Sequence, residues 1–212
     1  MANELGGHPE DDVLGTVVEV SHTFEVELNI LITVNHKLTI EGIAKLEEQE
    51  IRHTWEIFDD LETASSHVAW ERQVYDDMRA AARHLAVVGL VTRLQHWIEK
   101  FVRSKKLTPK KSKEPTLCKH VTALNDFLGL EPPISVEFFR ELVTVRDSVV
   151  HANSQVEWSF DGKARKVADC YQSSGTLAVT EDQLKDALQN AVELIAWYDA
   201  QLSPAKPPSA AM

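Results

Sequence analysis

The chain has 212 residues, 43% of them hydrophobic, which is enough to bury one sizeable core and predicts a single domain. Its formal net charge of −11 counts against a general nucleic-acid binder, because phosphate backbones attract clustered lysine and arginine. No apolar run approaches the ~18 residues of a membrane helix, no signal region is evident, and the two cysteines fit no metal-binding spacing. We therefore expect a reduced, cytoplasmic protein with no membrane contact, no metal and no cofactor.

The two ends of the chain, residues 1–12 and 203–212, are predicted to be disordered. The stretch after the first end fits two structures. Apolar residues alternate cleanly from Phe24 to Val34, which favours a strand, while another apolar set there fits one face of a helix. Since the rest of the core is predicted to be helical, we expect a helix here too.

Two long helices are predicted next from apolar residues spaced three and four apart. The first covers residues 39–62, with these side chains expected inside: Ile43, Leu46, Ile51, Trp55, Phe58 and Leu61. The second covers residues 67–103, and its inward stripe is expected to comprise Val74, Met78, Ala81, Leu85, Val88, Val91, Leu94, Ile98 and Phe101. Gly89 lies within that stripe and indicates either a close helix approach or a bend.

Two shorter helices follow. One covers residues 116–128 and stops at Gly129, since glycine readily adopts the left-handed conformation that closes a helix. The next is capped by Ser135, and its inward residues Phe138, Leu142, Val145 and Val149 recur at helical spacing.

A small β-excursion is predicted between this helix and the last one. Val156, Trp158 and Phe160 alternate, and Asp161-Gly162 is typical of a hairpin turn. Leu177 and Val179 are candidates for a third short strand. The last helix begins at Thr180, because Thr180 and Gln183 have capping-box spacing, and these residues form its inward stripe: Leu184, Ala187, Leu188, Ala191, Ile195, Tyr198 and Leu202.

Positive charge is concentrated around Pro109 in an otherwise acidic chain. Arg103 is followed by five lysines, which are Lys105, Lys106, Lys110, Lys111 and Lys113. This stretch is either a solvated loop kept soluble by its lysines or a local arm that attracts phosphate. In the second case its lysines would bind RNA.

The stretch from Val145 to Asn153 places Arg146 and His151 five positions apart where an amphipathic helix is predicted to stop. Arginine can grip a phosphate, and histidine is the common side chain that titrates near neutral pH. Asn153 tolerates a left-handed turn, so unwinding near His151 would swing its imidazole towards Arg146. The alternative is structural: Arg146 pairs with Asp147, Glu141 or a helix end, and His151 simply caps the helix.

The same spacing occurs at Arg79 and His84, inside the long helix. Five residues correspond to about 500° of helical rotation, so these side chains should diverge by about 140°. We expect both to be exposed helix residues without a catalytic role.

The stretch from Val145 to Asn153, together with the helices and the polar excursion around it, resembles the HEPN superfamily. The family pattern is arginine, four to six residues and histidine at a helix end, with Asn, Asp or His preferred directly after the arginine. Here Asp147 follows Arg146, His151 ends the run, and a polar excursion precedes a final amphipathic helix. The resemblance covers roughly residues 67–202. It departs from the pattern at Ser154, where many members have glycine.

The resemblance implies an all-α HEPN-like helical bundle with a small β-hairpin excursion between its last two core helices. We therefore divide the single domain, residues 13–202, into an N-terminal extension, 13–66, and a core, 67–202. It also implies a homodimer in which both motifs face one cleft. Active members are metal-independent endoribonucleases, many of them toxins or anti-phage proteins restrained by a nucleotidyltransferase antitoxin. Other members have lost catalysis and serve as binding or scaffold domains.

The predicted site therefore has two parts. Arg146, His151 and Asp147 are the expected catalytic residues, with Arg146 neutralising the phosphate, His151 moving a proton and Asp147 orienting either partner. Asn153 and the lysines of the basic stretch are the expected RNA contacts. The competing hypothesis is a non-catalytic module whose same surface binds a nucleotide or a protein, and the acidic charge favours it.

Overall fold

The computed structural model describes residues 18–160 and 162–202, with side chains from residue 22 onwards. The predicted disordered ends, 1–12 and 203–212, lie outside the described residues, as does Asp161 of the predicted hairpin turn.

The described chain is mostly helical, as predicted, with two very short β-hairpins between its last two helices. Its helices are α1 (Val18–Leu28), α2 (Asn35–Ile57), α3 (Leu61–Ser104), α4 (Thr116–Leu128), α5 (Val136–His151) and α6 (Glu181–Leu202). Its strands are β1 (Glu157–Phe160), β2 (Lys163–Lys166), β3 (Gln172–Ser173) and β4 (Thr176–Leu177). A π-helix, Asn29–Val34, joins α1 to α2, and a 3₁₀ turn, Asp169–Tyr171, precedes β3.

The first described stretch is helical and not a strand, which confirms the expectation drawn from the rest of the core. Phe24, Leu28 and Ile32 are four residues apart and buried, whereas Ile30 and Val34 are exposed. A Cβ on Gly89 would lie 3.0 Å from Ile32 Cδ1, so Gly89 permits the close helix approach that was one of its two predicted roles. This part of the predicted extension therefore belongs to the core.

The chain turns sharply between α2 and α3, so the predicted helix over residues 39–62 ends earlier than expected. The Asp60 carboxylate accepts hydrogen bonds from the backbone N–H groups of Glu62 and Thr63, at 3.3 and 2.8 Å, and caps α3. Ile43 is buried as predicted, but Leu46, Trp55 and Leu61 are exposed. They are exposed because α2 and the first half of α3 pack mainly on each other and stand off the core.

The two halves of α3 have different surroundings. After Val68, no residue of α3 is buried until His84. The predicted inward stripe is therefore wrong over its first half, since Val74, Met78, Ala81 and Leu85 are exposed. Its second half is confirmed, because Val91, Leu94, Ile98 and Phe101 form the centre of the core. There α3 is surrounded by α1, α4, α5 and α6.

The β-excursion forms two separate antiparallel hairpins. β1 pairs with β2, and β3 pairs with β4. The short strand predicted around Leu177 and Val179 is confirmed at Leu177, which lies in β4, whereas Val179 lies outside the strands. The predicted capping box of α6 is confirmed, since Gln183 N donates to Thr180 Oγ1 at 3.2 Å and Thr180 N donates to Gln183 Oε1 at 2.9 Å. None of the described helices is both long and apolar enough to span a bilayer.

Candidate active site

The end of α5 is shaped by one buried serine. Ser148 Oγ donates to the carbonyl of Gln155 at 2.7 Å, and the carbonyl of Ser148 accepts from the N–H groups of Ala152 and Ser154, both at 3.0 Å. Asn153 and Ser154 have φ of 50° and 63°, so the predicted left-handed turn is confirmed at Asn153 and extends to Ser154. We call Ala152–Gln155 the motif loop.

Arg146 lies partly buried on α5, with a quarter of its side chain exposed. Its Nε is 2.8 Å from Asp147 Oδ1, which is ion-pair distance, yet this N–H has no hydrogen-bond partner among the described residues. The contact is therefore a charge contact in which the N–H does not point at the carboxylate. A buried guanidinium donor without an acceptor is costly, and an incoming phosphate oxygen would satisfy it.

His151 is the last residue of α5, and its side chain is exposed. Its ring packs on Phe160 of β1 with the ring centroids 5.0 Å apart and the planes tilted by 30°. Phe160 is itself 42% exposed, so the two rings form an aromatic surface that solvent reaches. Sequence reasoning missed this role of Phe160, because it assigned that side chain to an alternating strand.

The helix does not unwind before His151, in contrast to the expectation that its ring swings towards Arg146. α5 is α-helical through His151, so the two side chains leave it about 140° apart in direction. Within one subunit the arginine faces the protein and the histidine faces solvent. The two groups therefore do not converge on one phosphate within the chain.

His84 was expected to be exposed, and it is instead buried beneath the motif loop. Its Nδ1 is 3.4 Å from Ser154 Oγ, and its Nε2 is buried without a hydrogen-bond partner among the described residues. Burial, and secondarily the charge of Arg83, lower the pKa of His84 from its ordinary 6.5, although a contact with the backbone of Leu177 opposes that shift. Arg83 Nε donates to the carbonyl of Val179 at 2.6 Å, so α3 holds both ends of the β-excursion.

Arg79 was also expected to be exposed, and this expectation is wrong. Only 23% of its side chain is exposed, and it forms ion pairs with Glu47 of α2 and with Asp76, the latter at 2.8 Å. These pairs raise the pKa of Arg79, with the hydrogen bond to Glu47 as the largest cause. Arg79 therefore holds α2 against α3 rather than contributing to a site.

The lysine-rich stretch lies at the opposite end of α5 from the motif loop. Arg140, near the start of α5, pairs with Glu114 beside this stretch at 3.0 Å, whereas the motif loop follows the end of α5, about 20 Å further along the helix axis. Two of the lysines have internal partners, since Lys105 Nζ donates to the carbonyl of Leu202 and Lys110 Nζ pairs with Asp126. Lys106, Lys111 and Lys113 are exposed.

A cleft of about 540 Å³ lies beside these lysines. Lys110, Lys119 and the exposed ring of Phe127 line it, together with the carboxylates of Glu114 and Asp126. The two carboxylates offset the two lysines, so the cleft is not a strongly cationic site. Elsewhere, no three histidine, cysteine, aspartate or glutamate side chains of the described residues are placed to hold a metal ion.

The sequence signals for the residues that were missed are weak. His84 follows an arginine by five residues, as His151 does, and this spacing does not distinguish the two histidines. Only the fold places His84 beneath the motif loop. Comparison of the chain with protein-family models, with curated proteins and with solved structures finds no match.

Proposed function

We propose that the chain is a metal-independent endoribonuclease of the HEPN type that cleaves RNA through Arg146 and His151 of a homodimer. One observation carries the proposal: α5 ends on an exposed imidazole, and about one and a half turns earlier it holds a guanidinium N–H that, apart from its charge contact with Asp147, has no hydrogen-bond acceptor among the described residues. The first group can move a proton, and the second can bind a phosphate oxygen.

The chemistry needs no group beyond these side chains. A ribose 2′-hydroxyl attacks its own phosphorus while one imidazole takes its proton. The bond from phosphorus to the 5′-oxygen then breaks, and a second imidazolium protonates that leaving oxygen. Arg146 offsets the charge that develops on the phosphorane. The products are a 2′,3′-cyclic phosphate and a 5′-hydroxyl end.

Two subunits are needed for two reasons. One motif supplies one histidine, whereas the reaction uses a base and an acid. In addition, Arg146 and His151 of the same helix point in different directions. A two-fold pair of motifs would provide two of each group around one phosphodiester. Asp147 stays beside Arg146 and orients it, while Asn153 of the motif loop offers an amide to the RNA.

Purified variants test this proposal directly. Arg146→Ala and His151→Ala should each lower the rate of RNA cleavage by at least 100-fold, as expected for loss of a general acid–base or a phosphate-binding group. Arg52→Ala is the control, because Arg52 is an exposed arginine whose partner, Glu48, lies on the same helix, and its variant should leave the rate within about twofold.

Mixing wild-type and His151→Ala chains tests the shared site. If each active centre uses the histidines of both subunits, mixed pairs are inactive, so an equal, co-refolded mixture should keep about a quarter of the wild-type rate rather than about half. A wild-type protein that leaves a broad RNA panel uncut would disprove the enzyme. A rate of about half would show that each chain cuts RNA without its partner's histidine.

The setting proposed for this activity is a cytoplasmic toxin or anti-phage component, held inactive by an antitoxin such as a nucleotidyltransferase. Expression of the wild type should then slow growth and degrade cellular RNA, and His151→Ala should do neither.

A second function is favoured by the ion pair between Arg146 and Asp147 and by the net charge of −11, which both oppose phosphate binding. In that case the motif loop and the His151–Phe160 surface bind a nucleotide or a protein without cleavage. The same variants distinguish the two functions, because binding would be lost without any change in RNA integrity.

A further inference from the structure

An exposed apolar stripe runs along the hairpin formed by α2 and the first half of α3. We call it the hairpin stripe, and it comprises Leu46, Trp70, Val74, Met78 and Leu85. Their exposed fractions are 49, 65, 36, 40 and 65% respectively. On α3 these residues are separated by four, four and seven positions, so they lie on one face of the helix.

The size of this stripe is unusual for a surface that only meets water. Its side chains expose on the order of 500 Å², at the upper end of the largest patch on an ordinary monomer. A specific interface needs about 800 Å² on each partner, so the stripe would supply more than half of that area and its polar flanks would supply the rest. A shallow cleft of about 240 Å³, lined by Leu46, Trp70 and Met78 among others, offers a place for an inserted side chain.

Charge along the hairpin is divided between its two ends. The distal part, residues 46–75, carries eight carboxylates against two arginines. The proximal part, residues 29–45 together with 76–93, carries five lysines and arginines against three carboxylates. The stripe therefore runs from an acidic end to a basic end.

This polarity identifies the occupant. We propose that a second copy of the chain binds the hairpin stripe in antiparallel orientation, so that the acidic distal part of each copy lies against the basic proximal part of the other. A parallel pair would bring two acidic tips together and would be repelled. A two-fold antiparallel pair satisfies both ends at once, since each copy provides the same acidic and basic parts.

The register follows from the stripe itself. A two-fold axis near Met78, midway between Trp70 and Leu85, places Trp70 of each copy beside Leu85 of the other. An axis perpendicular to both α3 helices leaves the two motif loops on the same side of the pair. His84, which touches the motif loop, is six residues or about 9 Å from Met78 along the helix, so the loops would be about 18 Å apart along it.

One step rests on the proposed function: if the chain cleaves RNA as a homodimer, the hairpin stripe is the surface through which its two copies meet. The exposure, area and charge of the hairpin support the surface whether or not the chain cleaves RNA.

The molar mass in solution tests the surface. Wild type should show twice the chain mass of 23.8 kDa, and the double variant Met78→Glu/Leu85→Glu should show 23.8 kDa. Leu130→Glu is the matched control, because Leu130 is a similarly exposed leucine in the α4–α5 connection and its variant should stay dimeric. Circular dichroism checks that each variant keeps its helices.

Cross-linking tests the orientation. In a Cys170→Ser background, Trp70→Cys chains should not cross-link with each other, whereas a mixture of Trp70→Cys and Leu85→Cys chains should. Cross-linking of Trp70→Cys with itself would indicate a parallel pair and would overturn the inference.

Two other results would also overturn it: a monomeric wild type, which would leave the stripe to another protein or another part of the chain, or an assembly whose mass the double variant does not change. RNA cleavage is measured separately on the same samples. A dimer of this kind that cuts no RNA disproves the enzyme and leaves the surface standing. A monomer that cuts RNA overturns both the surface and the shared site, and leaves only the cleavage activity standing.

Discussion

The two arginine–histidine runs of this chain have identical spacing and opposite surroundings. In α3, His84 is buried and Arg79 is paired with Glu47 and Asp76. In α5, His151 is exposed, and the Nε–H of Arg146 lies beside Asp147 without a hydrogen-bond acceptor in the part of the chain that the structure describes. The runs also meet, because His84 contacts Ser154 in the loop that follows the second run.

This difference shows that the spacing of two side chains on a helix does not determine what they do. Position along the helix decides it here. The first run lies where α3 passes from the hairpin into the core, so its polar groups are used by α2 and by the motif loop. The second run lies at a helix end, where an imidazole reaches solvent. We therefore expect the first run to affect stability and the second to affect activity.

The largest stability difference should appear between the two histidines. His84→Ala leaves a cavity beneath the motif loop and should lower the free energy of unfolding by about 1–3 kcal/mol, whereas His151→Ala should change it by less than about 0.5 kcal/mol. Urea denaturation followed by circular dichroism measures both. Equal losses in the two variants would contradict the division of roles.

A smaller effect is expected from pH. The pKa of His84 is lowered in the folded chain, so between that pKa and 6.5 the unfolded chain binds a proton more readily than the folded chain. Above pH 6.5 His84 is neutral in both states and does not lower the free energy of unfolding. Stability should fall as the pH drops from 6.5 towards the folded pKa of His84. His84→Gln should flatten this part of the stability curve. A curve that His84→Gln leaves unchanged would show that His84 does not cause the loss.

The smallest effect concerns the residue at which the runs touch. Ser154 has a φ of 63°, a conformation that glycine adopts without cost. Ser154→Gly should raise the free energy of unfolding by about 0.5 kcal/mol, after the loss of the contact with His84 is taken into account. Ser66→Gly, in the interior of α3, should lower it by about 0.5–1 kcal/mol. Thermal unfolding compares the two, and a loss of stability at both positions would contradict the turn geometry.

Local signals predicted much of the fold. The capping box at Thr180, the stop at Gly129 and the left-handed turn at Asn153 depend on neighbouring residues, so the sequence was sufficient to predict them. The inward face of the first half of α3 was predicted wrongly. An apolar stripe at helical spacing looks the same whether it packs into a core or remains exposed, because periodicity records a shared face and not what covers that face.

The candidate site shows the same limit of prediction from the sequence. The sequence alone determined that an arginine and a histidine lie near a helix end, and that a turn follows them. Only the tertiary structure decided that His84 lies beneath this turn, that Phe160 packs on His151, and that the lysines lie at the far end of α5. These relations join residues of different helices, strands and loops, and they depend on how those elements pack rather than on the local preferences of any segment.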